Sequence, residues 1–265
     1  MRRFAFWRWI VRHQRRMAGS APYIQVIALT IVGTAFLTWV VLNVHWLPKE
    51  ASAQAGKIDT LYDVLAVASA FVFSLVCSLL FVAVTRFRRR FGDEADGVPI
   101  HGNTGVEVVW TAIPAIIVLG AGIYSGVVLA NIEKPKPGTE TITVNARQFA
   151  WTFDYPARGI KNAGELHLEK GKNYYFKIHS ADVIHSFWVP EFRMKKDAVP
   201  GMTTTQRVRP IRFGTYSVVC TELCGLGHAT MRARVVVQDK PTFDRWAAGQ
   251  KQGPGGAAAS TGGAS

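Results

Sequence analysis

The feature that most constrains this chain is a set of three long stretches that contain no Asp, Glu, Lys or Arg. They run from Tyr23 to Leu47, from Val64 to Thr85 and from Val108 to Ile132, and only Pro114 is a candidate for a kink. The first covers 25 residues, which as a helix is ~37 Å long and sufficient to cross a bilayer. Core helices of a soluble protein rarely reach this length without charge, so membrane-spanning helices are predicted.

Charge at the ends of these stretches predicts their orientation. The formal net charge is +13. Many of the arginines either precede the first stretch or directly follow the second. By the positive-inside rule, the N-terminus and the loop 86–107 are cytoplasmic, and everything after residue 132 is outside. We therefore expect a multi-pass protein of the cell (plasma) membrane with its C-terminal domain on the outer, periplasmic side. The arginines concerned are Arg2, Arg3, Arg8, Arg12, Arg15, Arg16, Arg86, Arg88, Arg89 and Arg90.

The first stretch allows two interpretations. A basic segment and an apolar run precede Ala51-Ser52-Ala53, which has the form of a signal-peptide cleavage site. The run is long for a signal peptide, which favours a retained helix. The sequence thus predicts two transmembrane helices, or three if the first stretch is kept.

Short alternating strands replace the apolar runs after the linker KPKPG. Polar and apolar residues alternate in six runs, which predicts a β-sandwich, and a short helix is expected at 243–248. The runs are 141–144, 165–168, 174–178, 203–208, 215–219 and 232–237. The predicted organisation is a basic N-terminus (1–22), the first run and linker (23–57), a two-helix hairpin (58–132), the sandwich (133–245) and a low-complexity tail (246–265).

The stretch CTELCGLGHATM, from Cys220 to Met231, concentrates sulfur and imidazole ligands in one loop. A disulfide between Cys220 and Cys224 is possible outside the cell, but it explains neither His228 nor Met231. Zinc prefers four Cys or His ligands, and a thioether suits it poorly. Copper electron-transfer sites combine thiolate, imidazole and thioether, and two thiolates can bridge two copper ions.

A dinuclear site needs a second imidazole. His185 lies in ADVIHSFWVP between apolar stretches, where an interior ligand is expected. His167 and His179 lie on predicted strands beside charged neighbours, so alternation predicts that both face solvent.

These residues resemble subunit II of the haem-copper cytochrome c oxidases, which carries a binuclear CuA centre in a cupredoxin domain. The family pattern Cys-x-Glu-x-Cys-x-x-x-His-x-x-Met is complete here, HSFWVP resembles the stretch around the upstream histidine, and KKDAVPG resembles the segment after it. The similarity extends over about residues 58–240. It implies a membrane-anchored cupredoxin-like β-sandwich.

The resemblance also implies roles for individual residues. Cys220 and Cys224 would bridge both coppers. His185 and Met231 would complete one copper, and His228 with the backbone carbonyl of Glu222 would complete the other.

Further implied roles concern a second metal and protons. The Glu222 side chain would reach a magnesium ion at the boundary with the catalytic subunit, in a region that Asp197 borders. Glu107, in EVVWT, resembles a glutamate at the mouth of a proton channel. Charge alone favours a simpler role for Glu107, capping the start of a helix.

The segment around Phe149 departs from the family pattern. The family's aromatic cluster carries a tryptophan that faces the electron donor, and Phe149 stands at that position, with Trp151 retained after Ala150. Phe149 and Trp151 are the candidates for electron uptake. From Ile132 onward, 19 Lys and Arg stand against 11 Asp and Glu, a net of +8, which would repel a basic cytochrome c. An acidic or membrane-tethered cytochrome c is the expected donor.

The expected function is therefore electron uptake for a respiratory terminal oxidase that reduces oxygen and pumps protons. No oxygen chemistry is expected on this chain alone. The expected partners are catalytic subunit I, subunit III, a cytochrome c and the lipid bilayer, with no nucleic acid. Three alternatives share part of this pattern: a quinol oxidase subunit, whose relatives lack the copper ligands; nitrous oxide reductase, which needs a larger chain; and a copper carrier or assembly module.

Overall fold

The computed structural model describes residues 21–89, 92, 101–134 and 136–252. Two compact units share the chain. One is made of the described parts of 1–44 and 62–121, and the other of the described parts of 45–61 and 122–265. The basic N-terminus as far as residue 20, most of the loop 90–100 and the tail beyond residue 252 lie outside the described residues.

Three helices account for the apolar stretches. They are α1 (Ala21–Asn43), α2 (Ala55–Arg86) and α3 (Thr104–Glu133), and each is long and apolar enough to cross a membrane. Large apolar side chains such as Trp39 and Val118 are 61% and 70% exposed within the chain, as expected for surfaces that face lipid. The prediction of membrane helices, with the possible third one present, is confirmed.

The start of α2 differs from the expectation. The predicted hairpin begins at residue 58 and its charge-free run at Val64, yet the helix already begins at Ala55. The Ser52 hydroxyl oxygen accepts a hydrogen bond from the Ala55 N–H at 3.1 Å, which is the contact of an N-terminal cap. Charged residues in the first turns hide this part of the helix from a search for apolar runs.

Ten strands form two five-stranded sheets, followed by a helix α4 (Lys240–Gln252). The orders are β3-β2-β1-β5-β8 and β4-β10-β9-β6-β7, with β1–β5 and β4–β10 parallel and the other pairs antiparallel. The strands are β1 (Glu140–Arg147), β2 (Ala150–Tyr155), β3 (Ile160–Ala163), β4 (Leu166–Glu169), β5 (Tyr174–Ser180), β6 (His185–Val189), β7 (Met194–Ala198), β8 (Thr204–Val208), β9 (Gly214–Cys220) and β10 (Arg232–Gln238).

Aromatic side chains fill the space between the two sheets. Phe187 of β6 meets Trp151, Phe153 and Phe176 of the other sheet edge to face, with ring centroids 5.5–6.5 Å apart. All four are buried. Side chains from both sheets thus share one core, and the expected cupredoxin-like β-sandwich is confirmed.

The six alternating runs all correspond to strands, and the predicted terminal helix is α4. Four strands, β2, β3, β6 and β7, were not predicted. The prediction that His167 faces solvent is wrong, because its side chain is buried on β4. Its ring stacks on Trp246 of α4 with centroids 4.1 Å apart, so helix α4 covers the face of β4 that alternation assigns to solvent. His179 is half-buried and lies beside the Thr203 hydroxyl.

The segment before α2 belongs to the sandwich. Ala51 is fully buried in its core. The Ala51 N–H donates to the Glu191 carbonyl at 2.8 Å, and the Ala51 carbonyl accepts from the Ile211 N–H at 2.9 Å. Arg193 forms an ion pair with Asp59 at 2.7 Å. The domain boundaries given above stay predictions.

Candidate metal centre

The sulfur and imidazole side chains meet at one end of the sandwich. Cys220 is the last residue of β9 and His185 is the first residue of β6, and these strands pair so that Cys220 lies opposite Phe187. The loop after β9 carries Cys224, a short 3-10 turn begins at His228, and Met231 directly precedes β10. Antiparallel pairing of β9 with β6 and β10 therefore gathers these residues from distant parts of the sequence.

Both cysteines are buried free thiols. Their sulfur atoms lie 3.9 Å apart, well beyond the ~2.05 Å of a disulfide bond. The ligand atoms of His185, Cys220 and Cys224 all lie within 4.8 Å of one another. A metal ion between them would be reached by all three side chains.

The other candidate ligands surround the two sulfurs. Nδ1 of His185 lies 3.8 Å from the Cys220 sulfur, and Nδ1 of His228 lies 3.6 Å from the Cys224 sulfur. The Met231 sulfur is 3.8 Å from that of Cys224, and the Glu222 carbonyl oxygen is 3.3 Å from that of Cys220. Each thiol thus has its own imidazole, and the two thiols stand between them.

A carboxylate outside the cluster orients His185. Nε2 of His185 donates to Asp182 Oδ1 at 2.8 Å, and because a carboxylate only accepts, the proton lies on Nε2. Nδ1 is then left with a free lone pair toward Cys220. Burial opposes ionisation of Asp182, but hydrogen bonds from the Gln148 and Val183 N–H groups and from His185 outweigh it and lower its pKa to about 2.

The donor set fits copper better than zinc. Burial and the neighbouring Cys220 raise the pKa of Cys224 to about 11, so a thiophilic cation is needed to displace the proton of this thiol. Two thiols, two imidazoles, a thioether and a carbonyl exceed the four ligands of a structural zinc site. Soft sulfur with imidazole is the chemistry that copper electron-transfer sites use.

The turn between β1 and β2 covers the cysteine loop. The Gln148 side-chain amide donates to the Cys224 carbonyl. The Phe149 ring lies against the loop glycines, since a Cβ built on Gly227 would come within 2.5 Å of it. Phe149 remains 39% exposed. This candidate therefore contacts the cysteine loop on one side and solvent on the other.

Trp151, the second aromatic candidate, is buried. Its ring meets the edge of the His185 ring at 6.1 Å and that of Phe187 at 5.5 Å. It belongs to the core and also adjoins a candidate ligand, so core packing and electron uptake are both compatible with its position.

The two residues predicted to bind magnesium, Glu222 and Asp197, have different surroundings. Glu222 is exposed, whereas the Asp197 carboxylate accepts a hydrogen bond of 2.6 Å from the hydroxyl of Ser186. This bond lowers the Asp197 pKa. Ser186 is fully buried, and its carbonyl accepts from the Thr221 N–H at 3.1 Å. Asp197 is thereby connected to the loop that carries Glu222.

Glu107 makes a capping contact in the first turn of α3. Its Oε1 accepts from the Asn103 N–H at 3.1 Å, while Asn103 Oδ1 accepts from the Val106 N–H at 3.2 Å. This reciprocal pattern resembles a capping box, with the carboxylate one position later than usual. Glu107 therefore caps the start of α3, and its part in a proton path stays a prediction.

Three supporting residues were missed by the sequence analysis: Asp182, Gln148 and Ser186. Asp182 stands three residues before His185, a spacing that could have suggested a hydrogen-bond partner. Gln148 and Ser186 act through tertiary contacts that no short sequence pattern indicates.

Comparisons with known proteins agree with this geometry. The family description "Cytochrome C oxidase subunit II, transmembrane domain" matches residues 36–128, and "Cytochrome C oxidase subunit II, periplasmic domain" matches residues 165–239. The first match covers the end of α1, all of α2 and most of α3, and the second covers β4 to β10 with the cysteine loop.

Individual relatives are similar to this chain over most of its length. "Cytochrome c oxidase subunit 2" of Thermostichus vulcanus is 35% identical over 269 residues, with 82% of each chain covered. Its namesake from Synechocystis is 29% identical over 86% of this chain and 82% of the relative. "Quinol oxidase subunit 2" of Bacillus subtilis is 31% identical over 66% of this chain and 57% of the relative. With its three membrane helices and outer sandwich, the chain belongs to the cytochrome c oxidase subunit II family.

Proposed function

We propose that this subunit of a haem-copper oxidase holds a binuclear copper centre that accepts electrons from a cytochrome c. The electrons then pass to haem in the catalytic subunit, where oxygen is reduced and protons are pumped. The observation that carries the proposal is the pair of unbonded sulfurs, 3.9 Å apart, each within 4 Å of a different imidazole.

The chain's own residues would prepare this centre in three ways. Cys220 and Cys224 would supply two thiolates to the metals, and His185 and His228 would supply one imidazole each. Asp182 holds the His185 ring in place before any metal arrives, which limits rearrangement. When bound, the copper pair supplies a one-electron acceptor whose charge is shared over both metals.

Phe149 is proposed as the contact for the incoming electron. Its ring is partly exposed and lies against Gly225 and Gly227 of the cysteine loop. Leu223 and Leu226, at the tip of the same loop, are 80% and 106% exposed. A donor would therefore dock on an apolar surface, and the net charge of +8 over residues 132–265 favours an acidic or membrane-tethered cytochrome c.

Two further roles follow the family pattern. Glu222, whose carboxylate is exposed, and Asp197 are proposed as ligands of a magnesium ion at the boundary with catalytic subunit I. Glu107 is proposed to stand at the mouth of a proton path. Subunit III and the plasma membrane complete the proposed assembly.

The alternative is a copper carrier or assembly module outside the oxidase. Its site would exchange copper readily, whereas His185, Cys220 and Met231 are fully or almost fully buried, which favours a resident metal. One relative is named as a quinol oxidase subunit. A quinol-oxidising role would not need the complete ligand set that this chain carries.

Copper stoichiometry tests the proposal. The purified full chain, loaded with copper and desalted, should retain two copper ions, and Cys220→Ser should not retain a pair. Cys77→Ser is the matched control, because Cys77 lies on a membrane helix far along the sequence from the ligands and should leave the stoichiometry unchanged. Retention of one copper, or of zinc in preference, would contradict the binuclear site.

A further inference from the structure

A cavity of about 330 Å³ in the second unit is lined by none of the proposed copper ligands. Its walls come from the start of α2, the end of α3 with the segment after it, and strands β5 and β8 with the residues beside them. Five basic residues line it, and none of the lining residues is acidic. The basic residues are Lys57, Lys134, Lys136, Arg207 and Arg209.

Most of this positive charge is uncompensated within the part of the chain that the structure describes. Lys57, Lys134 and Lys136 form no ion pair there. The Arg207 guanidinium lies over the Tyr175 ring at 4.8 Å, and Arg209 Nε donates to the Gly171 carbonyl at 2.9 Å. The arginines thus keep most of their N–H donors free. Five like charges around one cavity repel one another, and a bound anion would relieve this repulsion.

The chemistry of the lining selects a phosphate. Several cations with N–H donors match a group that offers several charged oxygens, and both lysine and arginine bind phosphate well. The cavity is roughly ten times the ~30 Å³ that a water molecule occupies in the liquid, so it accommodates a headgroup rather than a single small ion. Tyr174 and Val208 are buried residues of the wall and provide apolar surface beside the charges.

The position of the cavity indicates where the phosphate comes from. Lys57 lies in the first turns of α2, and Asn131 and Ile132 lie in the last turn of α3. Both helices are long and apolar enough to span a membrane. The ends of such helices lie at the level of the lipid headgroups, where basic residues attract anionic lipid.

We propose that this cavity binds a phosphate group, carried by the headgroup of an anionic phospholipid. The site is independent of copper, because none of its lining residues is a proposed ligand. Its role would be to fix the outer end of the helices and the sandwich to the lipid at the membrane surface.

Binding can be measured on the full chain in detergent by native mass spectrometry, with phosphatidylglycerol and phosphatidylcholine as probes. The test variant is Lys57→Gln with Lys136→Gln, two exposed lysines whose side chains form no hydrogen bond or ion pair among the residues that the structure describes. The matched control removes the same charge outside the cavity, with Lys161→Gln and Lys177→Gln, both exposed. Inorganic phosphate is titrated in a separate arm, and copper retention reports that each variant is folded.

The proposal predicts that phosphatidylglycerol binds more tightly than phosphatidylcholine. Since each lysine near an anionic headgroup contributes about fivefold in affinity, the test variant should bind about 30-fold more weakly, and the control should bind as the unchanged protein does. Binding of inorganic phosphate that is lost in the test variant, without lipid preference, would support the phosphate site and identify free phosphate as its source. Equal binding by test and control variants, or binding of neither probe, would overturn the proposal.

Discussion

Asp182 and His185 form a hydrogen bond of 2.8 Å that directs the other imidazole nitrogen toward the Cys220 sulfur, 3.8 Å away. Asp182 also accepts the N–H groups of Gln148 and Val183 at 2.7 Å. The β1–β2 turn, the β5–β6 loop and the candidate metal ligand are thereby held by a single carboxylate.

Asp182→Asn should weaken copper binding by about 10–100-fold, the usual effect of losing a partner that orients a metal-bound histidine. Competition with a copper chelator measures the affinity. Glu169→Gln, on β4 and remote from the ligands in the sandwich, serves as the control and should leave the affinity unchanged. If Asp182→Asn binds copper as tightly as the unchanged protein does, the His185 ring needs no such support.

Gly227→Ala should destabilise the sandwich, because the added Cβ would lie 2.5 Å from the Phe149 ring. Overpacking of this kind costs about 1–3 kcal/mol, which thermal unfolding would register as a lower Tm. Gly164→Ala, where nothing lies within 4 Å of the new Cβ, is the control.

The same contact can be tested from the other side. Phe149→Ala should relieve much of the loss caused by Gly227→Ala, so the two changes should not be additive. Strict additivity would mean that Phe149 and Gly227 do not touch.

Phe149→Leu should slow reduction of the copper centre by a cytochrome c several-fold while the copper content stays the same. The change removes the aromatic ring between solvent and the loop but keeps an apolar side chain of similar size. Stopped-flow absorbance measures the rate, and Phe213→Leu, another exposed aromatic residue, is the comparison. Identical rates in both variants would place electron uptake elsewhere.

His167 should make the sandwich less stable in mild acid. Burial lowers its pKa from the ordinary value of 6.5, although Glu165 and Gln238 act in the opposite direction and Arg234 adds to the lowering. The neutral ring against Trp246 therefore stabilises the fold above about pH 6.5, and this contribution is lost as the pH falls below that value.

Thermal unfolding of His167→Gln between about pH 7.5 and 5.5 checks this account. The Tm of the variant should fall less across this range than that of the unchanged chain. A steeper fall in His167→Gln would contradict the assigned sign.

The first apolar stretch is predicted to remain attached. A cut after Ala53 would remove Ala51 from the core, together with its bonds to Glu191 and Ile211. It would also remove the Ser52 hydroxyl that bonds to the Phe192 carbonyl at 3.0 Å. Intact-mass measurement and N-terminal sequencing of the purified chain decide this, and a mature chain that starts at Gln54 would refute the prediction.

Period-two alternation located the strands that have one face in the core and the other toward solvent. Such patterns predicted β1, β5 and β9 to within a few residues, and charge-free length predicted the membrane helices. In both cases the local sequence carries the information. A strand with one face toward water alternates polar and apolar residues, and a helix surrounded by lipid lacks charge over its whole length.

Burial of both faces of a strand was not predicted, even at β4, where the strand itself was. β4 has three consecutive buried residues, Leu166 to Leu168, since α4 covers its second face through Trp246. β6 likewise begins with three buried residues, His185 to Phe187. The ligand types were recognisable from spacing in one loop, but Asp182 and Gln148 reach the site through tertiary contacts that spacing does not encode.

Electron paramagnetic resonance of the copper-loaded full chain tests the central claim most directly. If Cys220 and Cys224 bridge two copper ions that share one electron, the spectrum should show hyperfine structure from two equivalent copper nuclei, and Cys220→Ser should abolish it. A spectrum with hyperfine structure from a single copper nucleus in the unchanged chain would contradict the claim.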